Sequence, residues 1–453
     1  MTASSTPGQI RPGQITAGLS WLGIMRLGLV QAALGSIVVL VTSTLNRVMI
    51  VELALPAIVP GVLVALHYVV QVMRPRLGYG SDVGGRRTPW IMGGMAALAV
   101  GGTGAAAATA LMAVQPVLGV VLAALAFVVV GLGVGAAGTS VLTLLAKRVD
   151  PRRRAPAASV VWLMMIVGIA VTATLTGKAL DPFSIARLVT VVGLVSALAF
   201  VATAAAVWGI EGPGVKSLGA TSRAPVEAGF MQAVAEVWAE PQSRRFAVFV
   251  FVSMLAYSAQ DLVIEPFAGA VFALTPGQST GLTGLHHAGV LVGMAAVALG
   301  AARLGEFRSA AMRAWTIGGC LGSAIAILVL AVCGLAGPAW SMTAAVLALG
   351  AANGAFAVAA IGSMMGLASE GRESREGTRM GLWGAAQAWA FGAGGLFGTG
   401  LSDVARWLIG SPASAYAAVF VMEATVFLVA ARLAAGVFQT THARAPDGVA
   451  QAG

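Results

Sequence analysis

Charge is scarce in this chain: Asp, Glu, Lys and Arg together make up 10% of 453 residues, against 58% hydrophobic residues. That balance excludes an ordinary soluble globular domain and points to an all-α polytopic membrane protein. Cysteine is rarer still, with two in the whole sequence. Cys320 and Cys333 share one apolar stretch and show no metal or redox spacing, so they read as packing residues. Also missing are a phosphate-binding P-loop, an H-E-x-x-H pair and a nucleophile elbow. The Gly-rich runs lie inside apolar stretches, where a phosphate cradle has no place, and the chain reads as a non-enzyme.

What the sequence has instead is length in apolar runs. A bilayer core about 30 Å thick takes roughly 20 apolar residues per helix. Twelve such stretches centre near residues 39, 66, 101, 130, 168, 197, 257, 292, 324, 353, 390 and 424. Of the 27 Lys and Arg, only Arg47, Lys178, Arg187 and Arg406 fall on one side of the alternating connections. The basic side is the cytoplasmic one, so both termini are expected there. The net charge of +10 is then a topology signal, and nucleic acid is not expected as a partner.

The longest polar connection, GIEGPGVKSLGATSRAPVEAG, divides the chain into two halves. The predicted layout has five parts. Residues 1–27 form a cytoplasmic segment with a candidate interfacial helix, and 28–210 a six-helix bundle. Residues 211–243 form a cytoplasmic loop containing a candidate surface helix, 244–436 a second six-helix bundle, and 437–453 a cytoplasmic tail. Short matches in the same order connect the halves. LNRVMIVE pairs with AQDLVIE, and LVALHY with LTGLHH, which sets His67 against His286. Trp162 followed by glycines and Asp181 pairs with Trp383 followed by glycines and Asp403. An internal duplication places equivalent residues about one central axis.

The loop after the second stretch, GYGSDVGGRR, resembles the G-x-x-x-D-R/K-x-G-R-R signature of the major facilitator superfamily through Gly78, Asp82, Gly85, Arg86 and Arg87, and departs from it at Val83. The resemblance implies a major facilitator fold: 12 transmembrane helices in two six-helix pseudo-repeats. Glycines suit a tight turn there, and paired arginines suit anionic headgroups.

TLNRVMIVEL with Pro56, RPRLGYGSDVGGRRTPW, WLMMIVGI, QDLVIEP and GLWGAAQAWAFGAGG together resemble the bacteriochlorophyll delivery (PucC/LhaA-like) family of that superfamily. The resemblance implies a light-harvesting complex assembly factor in the inner (intracytoplasmic) membrane of a photosynthetic bacterium. Such a protein binds bacteriochlorophyll or hands it to light-harvesting antenna polypeptides without catalysis. Its implied partners are the pigment, the antenna polypeptides, bacteriochlorophyll synthase and membrane lipids.

Ionisable residues inside a span cost roughly 2.5–3.5 kcal/mol on insertion scales, so they face a partner or a bundle interior. Asn46, Arg47, Glu52, Gln260, Asp261 and Glu265 form a polar cluster at the outer ends of the first and seventh stretches. The duplication makes Arg47 and Asp261 equivalent and opposite in charge, so they are expected to pair across the axis. The cluster is then either a clamp between the halves or a binding site. His67, His286 and His287 are candidate pigment ligands. His67, near mid-membrane, is the expected axial ligand of the pigment magnesium, and at most one of the adjacent pair can face the same ring. Trp162 and Trp383 are candidate stacking partners. A proton-coupled transporter of an amphiphile, with Asp261, Glu265 or Glu423 as the titrating group, is the alternative; a pigment-free scaffold is the third reading.

Overall fold

The computed structural model describes residues 19–73, 86–150, 153–211, 235, 238–303, 309–337, 342–370 and 376–442. Among them are twelve helices of thirteen residues or more. In chain order, α1 is Trp21–Glu52, α2 Ile58–Val70, α3 Thr88–Met112, α4 Pro116–Arg148, α5 Arg154–Leu180 and α6 Ile185–Val207. The second set is α7 Pro241–Phe272, α8 Pro276–Arg303, α9 Ser309–Ala336, α10 Met342–Glu370, α11 Glu376–Ile409 and α12 Pro412–His442.

Ten of these helices are long and apolar enough to cross a membrane. Helix α2 is shorter, at 13 residues. Helix α11 is long, but its many glycines dilute its hydropathy. The first helix begins at Trp21, where Ser20 accepts from the Gly23 amide, so residues 21–27 belong to a continuous span and not to a separate interfacial helix. The last helix likewise runs on to His442, past the expected bundle boundary at residue 436. Gly78, Asp82 and Gly85 of the loop signature, most of the central loop with its candidate surface helix, and the tail beyond 442 lie outside the described residues.

The two sets of helices pack with equivalent connectivity. In the first half α3 meets α4 and α6, α1 meets α5 and α6, and α2 meets α4; in the second α9 meets α10 and α12, α7 meets α11 and α12, and α8 meets α10. The halves join through α2 with α11 and α5 with α8, a pair of contacts that the same duplication interchanges. Separate apolar cores follow, one within residues 246–437 and one dominated by residues 33–199.

In lipid, burying apolar side chains gives helices little reason to associate, so close packing over small residues has to do it. At α10, an added Cβ on Gly350 would stand 2.0 Å from the His286 carbonyl oxygen of α8, and at α4 one on Gly131 would stand 2.6 Å from the His67 carbonyl oxygen of α2. The paired histidines therefore sit against equivalent glycines in their own halves, as the LHY/LHH match implies.

At the opposite end of the first half, Glu211 reaches from beyond α6 to the start of α3. Its carboxylate accepts from the Arg87 and Thr88 amides at 2.8 and 2.9 Å and from the Thr88 hydroxyl at 2.6 Å. These amides are among the unsatisfied donors of a helix start. Burial pushes the Glu211 carboxyl up, but the Thr88 hydroxyl, the two amides and the Arg86 charge outweigh it, and the net shift is downward from 4.5. A carboxylate whose folded value is depressed stabilises fully above its unfolded value and loses that contribution as pH falls through the folded one. Glu211→Gln is therefore expected to cost about 1 kcal/mol at neutral pH and to flatten the loss of melting temperature below pH 4.5, as thermal melts in detergent at pH 7 and pH 4 will show.

Candidate functional site at the interface of the halves

Helix α1 is not uniformly α-helical. Two π-helical turns, Leu40–Thr44 and Val48–Glu52, bracket Asn46 and Arg47, and such wide turns rotate the residues between them relative to a regular helix. The result is a polar knot between the halves. Asn46 donates its side-chain amide to the Leu262 carbonyl of α7 at 2.8 Å. Thr44 meets Thr280 at 3.1 Å and Ser43 meets Thr283 at 3.5 Å, both on α8. Glu265 of α7 is buried and accepts from the Thr283 hydroxyl, with Thr280 at 3.5 Å. Its hydroxyl donors replace water around the carboxylate, so it is held inside the knot and does not reach for the membrane surface.

The expected pair between Arg47 and Asp261 does not form. Arg47 is bound 2.5 Å from Glu52, five residues on in its own helix, and donates to the Leu274 carbonyl of the second half at 2.6 Å. The wide turn at Val48–Glu52 brings Glu52 onto the Arg47 face, which a regular α-helix places at four residues. Asp261 instead shares a helix face with Tyr257, one turn away on α7.

Two further carboxylates tie the halves together at their outer edges. Asp403 of α11 accepts from the Ala57 and Ile58 amides at the start of α2, at 2.9 and 2.7 Å. Asp181, just past α5, accepts from the Thr275 hydroxyl at the start of α8 at 2.6 Å. Thr275 and Gln278 also cap one another reciprocally across the first turn of α8. Each half therefore holds the start of the other half's second helix.

Below the knot, aromatic rings run from one half to the other. Ring centroids separate His67 from Tyr68 by 4.8 Å, Tyr68 from Phe391 by 5.5 Å, Phe391 from Tyr257 by 6.0 Å, Tyr257 from His286 by 6.5 Å and His286 from His287 by 5.3 Å. These are the spacings of interacting aromatic pairs. Tyr68 and Phe391 lie within LVALHY and GLWGAAQAWAFGAGG but are not among the candidate site residues of the sequence, and Tyr257 lies outside every quoted motif.

The three histidines differ in what their nitrogens do. Gln71 holds its amide nitrogen 2.9 Å from His67 Nε2, and Asn353 holds its amide nitrogen 3.2 Å from His286 Nε2, itself steadied by Ser323 at 2.7 Å. An amide N–H is a donor, so both Nε2 lone pairs are engaged. His287 is different: its Nδ1 lies 2.9 Å from the Thr283 carbonyl. That carbonyl can only accept, which fixes the proton on Nδ1 and leaves the lone pair on Nε2. His287 also lies one turn from Thr283 and so shares the face that meets α1 and α7, whereas His286 faces α10. Asn353, a carboxamide inside an apolar span, is not among the candidate site residues of the sequence.

The two tryptophans are not equivalent. Trp383 is buried, donates to the Ser243 carbonyl at 3.1 Å and packs edge-on to Phe246. Trp162 is exposed on α5. Neither takes part in the ring sequence between His67 and His287.

Two packed halves of equivalent connectivity, built of helices sized for a bilayer and joined through a polar knot and an aromatic run, define a multi-pass membrane protein of the major facilitator type. The fold is similar to a bacterial homolog of the human lysosomal transporter Spinster in an inward-facing, unoccupied conformation, with a TM-score of 0.70 at 16% identity over 93% of this chain and 98% of that one. A D-xylose-proton symporter aligns with a TM-score of 0.65 at 15% identity over 90% and 97%. The profile of the family described as PUCC protein matches residues 44–442, and the chain belongs to that family. Among its relatives, the bacteriochlorophyll synthase 44.5 kDa chain of Rhodobacter capsulatus is 49% identical over 90% of this chain and 93% of its own length. Protein PucC of Cereibacter sphaeroides is 30% identical over 87% of each.

Proposed function

We propose that this protein is a light-harvesting complex assembly factor that binds bacteriochlorophyll between its two halves and passes it to antenna polypeptides, without catalysis. In this reading all twelve helices span the inner (intracytoplasmic) membrane of a photosynthetic bacterium, with both termini cytoplasmic. A bacteriochlorophyll synthase is a fitting supplier of the pigment, in keeping with the name borne by the Rhodobacter capsulatus relative.

The observation that carries the reading is the aromatic run ending at His287. A flat macrocycle with a central magnesium needs apolar ring faces and one neutral nitrogen held in a fixed tautomer. The His287 Nε2, backed by the Thr283 carbonyl, fits that need; His67 and His286 have their lone pairs engaged by Gln71 and Asn353. When bound, the pigment supplies its magnesium as the acceptor of that lone pair. Protein purified in mild detergent should carry near-infrared bacteriochlorophyll absorption. His287→Leu should lower the bound pigment by about tenfold, while His67→Leu leaves it within about twofold. Protein devoid of pigment, from a strain whose deletion leaves antenna levels normal, overturns the reading.

A second reading, proton-coupled transport of an amphiphile, draws on the likeness in fold to transporters. Flux into proteoliposomes driven by a pH gradient and lost in Asp261→Asn separates it from pigment handling.

A further inference from the structure

Most carboxylates described above have a donor. Glu52 has Arg47, Asp181 has Thr275, Glu211 has the start of α3, Glu265 has Thr283, and Asp403 has the start of α2. Glu423 differs: it is fully buried in α12, and neither of its carboxylate oxygens has a hydrogen-bond partner. Gln260 of α7 is also fully buried, with both ends of its amide unpartnered.

Helix geometry brings these groups to one place. Phe267 of α7 packs against Tyr416 and Phe420 of α12. Gln260 stands seven residues before Phe267, on the same helix face and about 10 Å further along. Glu423 follows Phe420 by three residues, about 5 Å, on the α12 face that also carries Tyr416 and Phe427, so on the antiparallel helices it faces α7 between the levels of Phe267 and Gln260. Asp261, the next residue of α7, acts electrostatically on Glu423. Unlike Glu423, Asp261 is only partly buried. It shares a face with Tyr257, one turn away in the aromatic run, so the pair reaches from the interior of the second half to the interface.

Two carboxylates and an unsatisfied carboxamide at membrane depth cannot all persist as free anions and dipoles, because each unpaired charge there carries several kcal/mol of desolvation cost. Arg47, the cation the duplication sets opposite Asp261, is occupied by Glu52 and Leu274. From α7 the titratable groups toward Glu423 are Asp261 and, beyond it, Tyr257; Tyr416 lies two turns away on its own helix, and α11 brings Asp403 and Arg406, whose reach is to Tyr416. Among the described residues none is a cation acting on the pair. We propose that Asp261, Glu423 and Gln260 form a site for one exchangeable monovalent cation, a proton or Na+, that compensates the acid pair. The carboxamide oxygen of Gln260 serves as a ligand for Na+, and its N–H as a donor to whichever carboxylate stays charged. Proton and metal ion offer the same single positive charge, and the site is independent of what cargo the interface carries.

The full-length protein in nanodiscs tests this by infrared difference spectroscopy in D2O, with and without Na+, together with 22Na+ retention and mass-spectrometric mapping of dicyclohexylcarbodiimide adducts. A protonated-carboxyl stretch at neutral pH that is lost in both Glu423→Gln and Asp261→Asn and kept in Glu265→Gln assigns a proton. Retention of 22Na+ by the unmodified protein, lost in Glu423→Gln, assigns Na+. Should the variants fail to fold, the carbodiimide adduct on Glu423 or Asp261 of the unmodified chain, diminished by raised pH or by Na+, gives the same assignments. A chain with no adduct at either residue, no retained Na+ and no protonated-carboxyl band overturns the site. Pigment absorption, measured on the same samples, reports separately on the assembly reading.

Discussion

Glu52→Leu is expected to destabilise the protein more than Arg47→Leu, although the two residues form one ion pair. The asymmetry comes from burial: the Arg47 side chain is 2% exposed and that of Glu52 33%. Removing Glu52 leaves a guanidinium in the membrane interior with the Leu274 carbonyl as its remaining partner. Stranding a buried charge costs about 3–5 kcal/mol when the pair is fully buried, and the partial exposure of Glu52 puts this case near about 3 kcal/mol. Removing Arg47 leaves a carboxylate that still reaches solvent, so about 1–2 kcal/mol is expected. The double variant, lacking both charges, should recover most of the loss. Thermal melts of the four proteins form a double-mutant cycle; equal losses for the two single variants contradict this account. Arg47→Leu also separates clamp from site: misassembly with unchanged pigment affinity marks a clamp, and pigment loss from folded protein marks a site.

Gly350→Ala is expected to be among the most damaging single methyls in the second half, with Gly293→Ala and Gly354→Ala on the same α8–α10 contact. The added carbon would lie 2.0 Å from the His286 carbonyl oxygen and 3.0 Å from its carbon, and backbone, unlike a long side chain, cannot swing aside. Helices α8 and α10 must separate, which breaks the Asn353 contact to His286 and opens the stack around Gly289, Gly293 and Gly354. Overpacking of this kind costs about 3 kcal/mol or more. Gly318→Ala on α9 is the control, since nothing lies within 4 Å of its added carbon. Fluorescence-detected size exclusion should show Gly350→Ala aggregated or absent and Gly318→Ala like the parent.

The halves, their repeat and the order of their helices were legible because apolar length and paired motifs are local properties of the chain. The polar knot was legible through Asn46, Arg47, Glu52 and Glu265, each costly in a span, whereas Gln260 and Asp261 make none of its hydrogen bonds. Its pairing was not. Equivalence under the duplication suggested Arg47 with Asp261, but the two wide turns of α1 give Arg47 to Glu52, and nothing in LNRVMIVEL marks a departure from regular helix. The proposed shift from His67 to His287 as ligand has a related reason. Depth in the membrane favoured His67, whereas suitability as a ligand depends on which nitrogen is engaged, and Gln71, Asn353 and the Thr283 carbonyl decide that through contacts the sequence does not announce. Trp162 and Trp383 show the limit of the repeat: matched in sequence, one is exposed and the other is packed on Phe246.

Asp181 and Asp403 give the duplication a mechanical meaning. Each grips the start of a helix belonging to the opposite half, at the end of the bundle away from Glu211. A hinge would need one edge to stay shut while the other parts. Here both edges carry the same kind of fastening, so this end of the bundle behaves as a double-latched door. Either latch alone, at about 1 kcal/mol, biases closure about fivefold, and the two together about thirtyfold, so loss of one should leave this end ajar in a fraction of molecules and loss of both should free it.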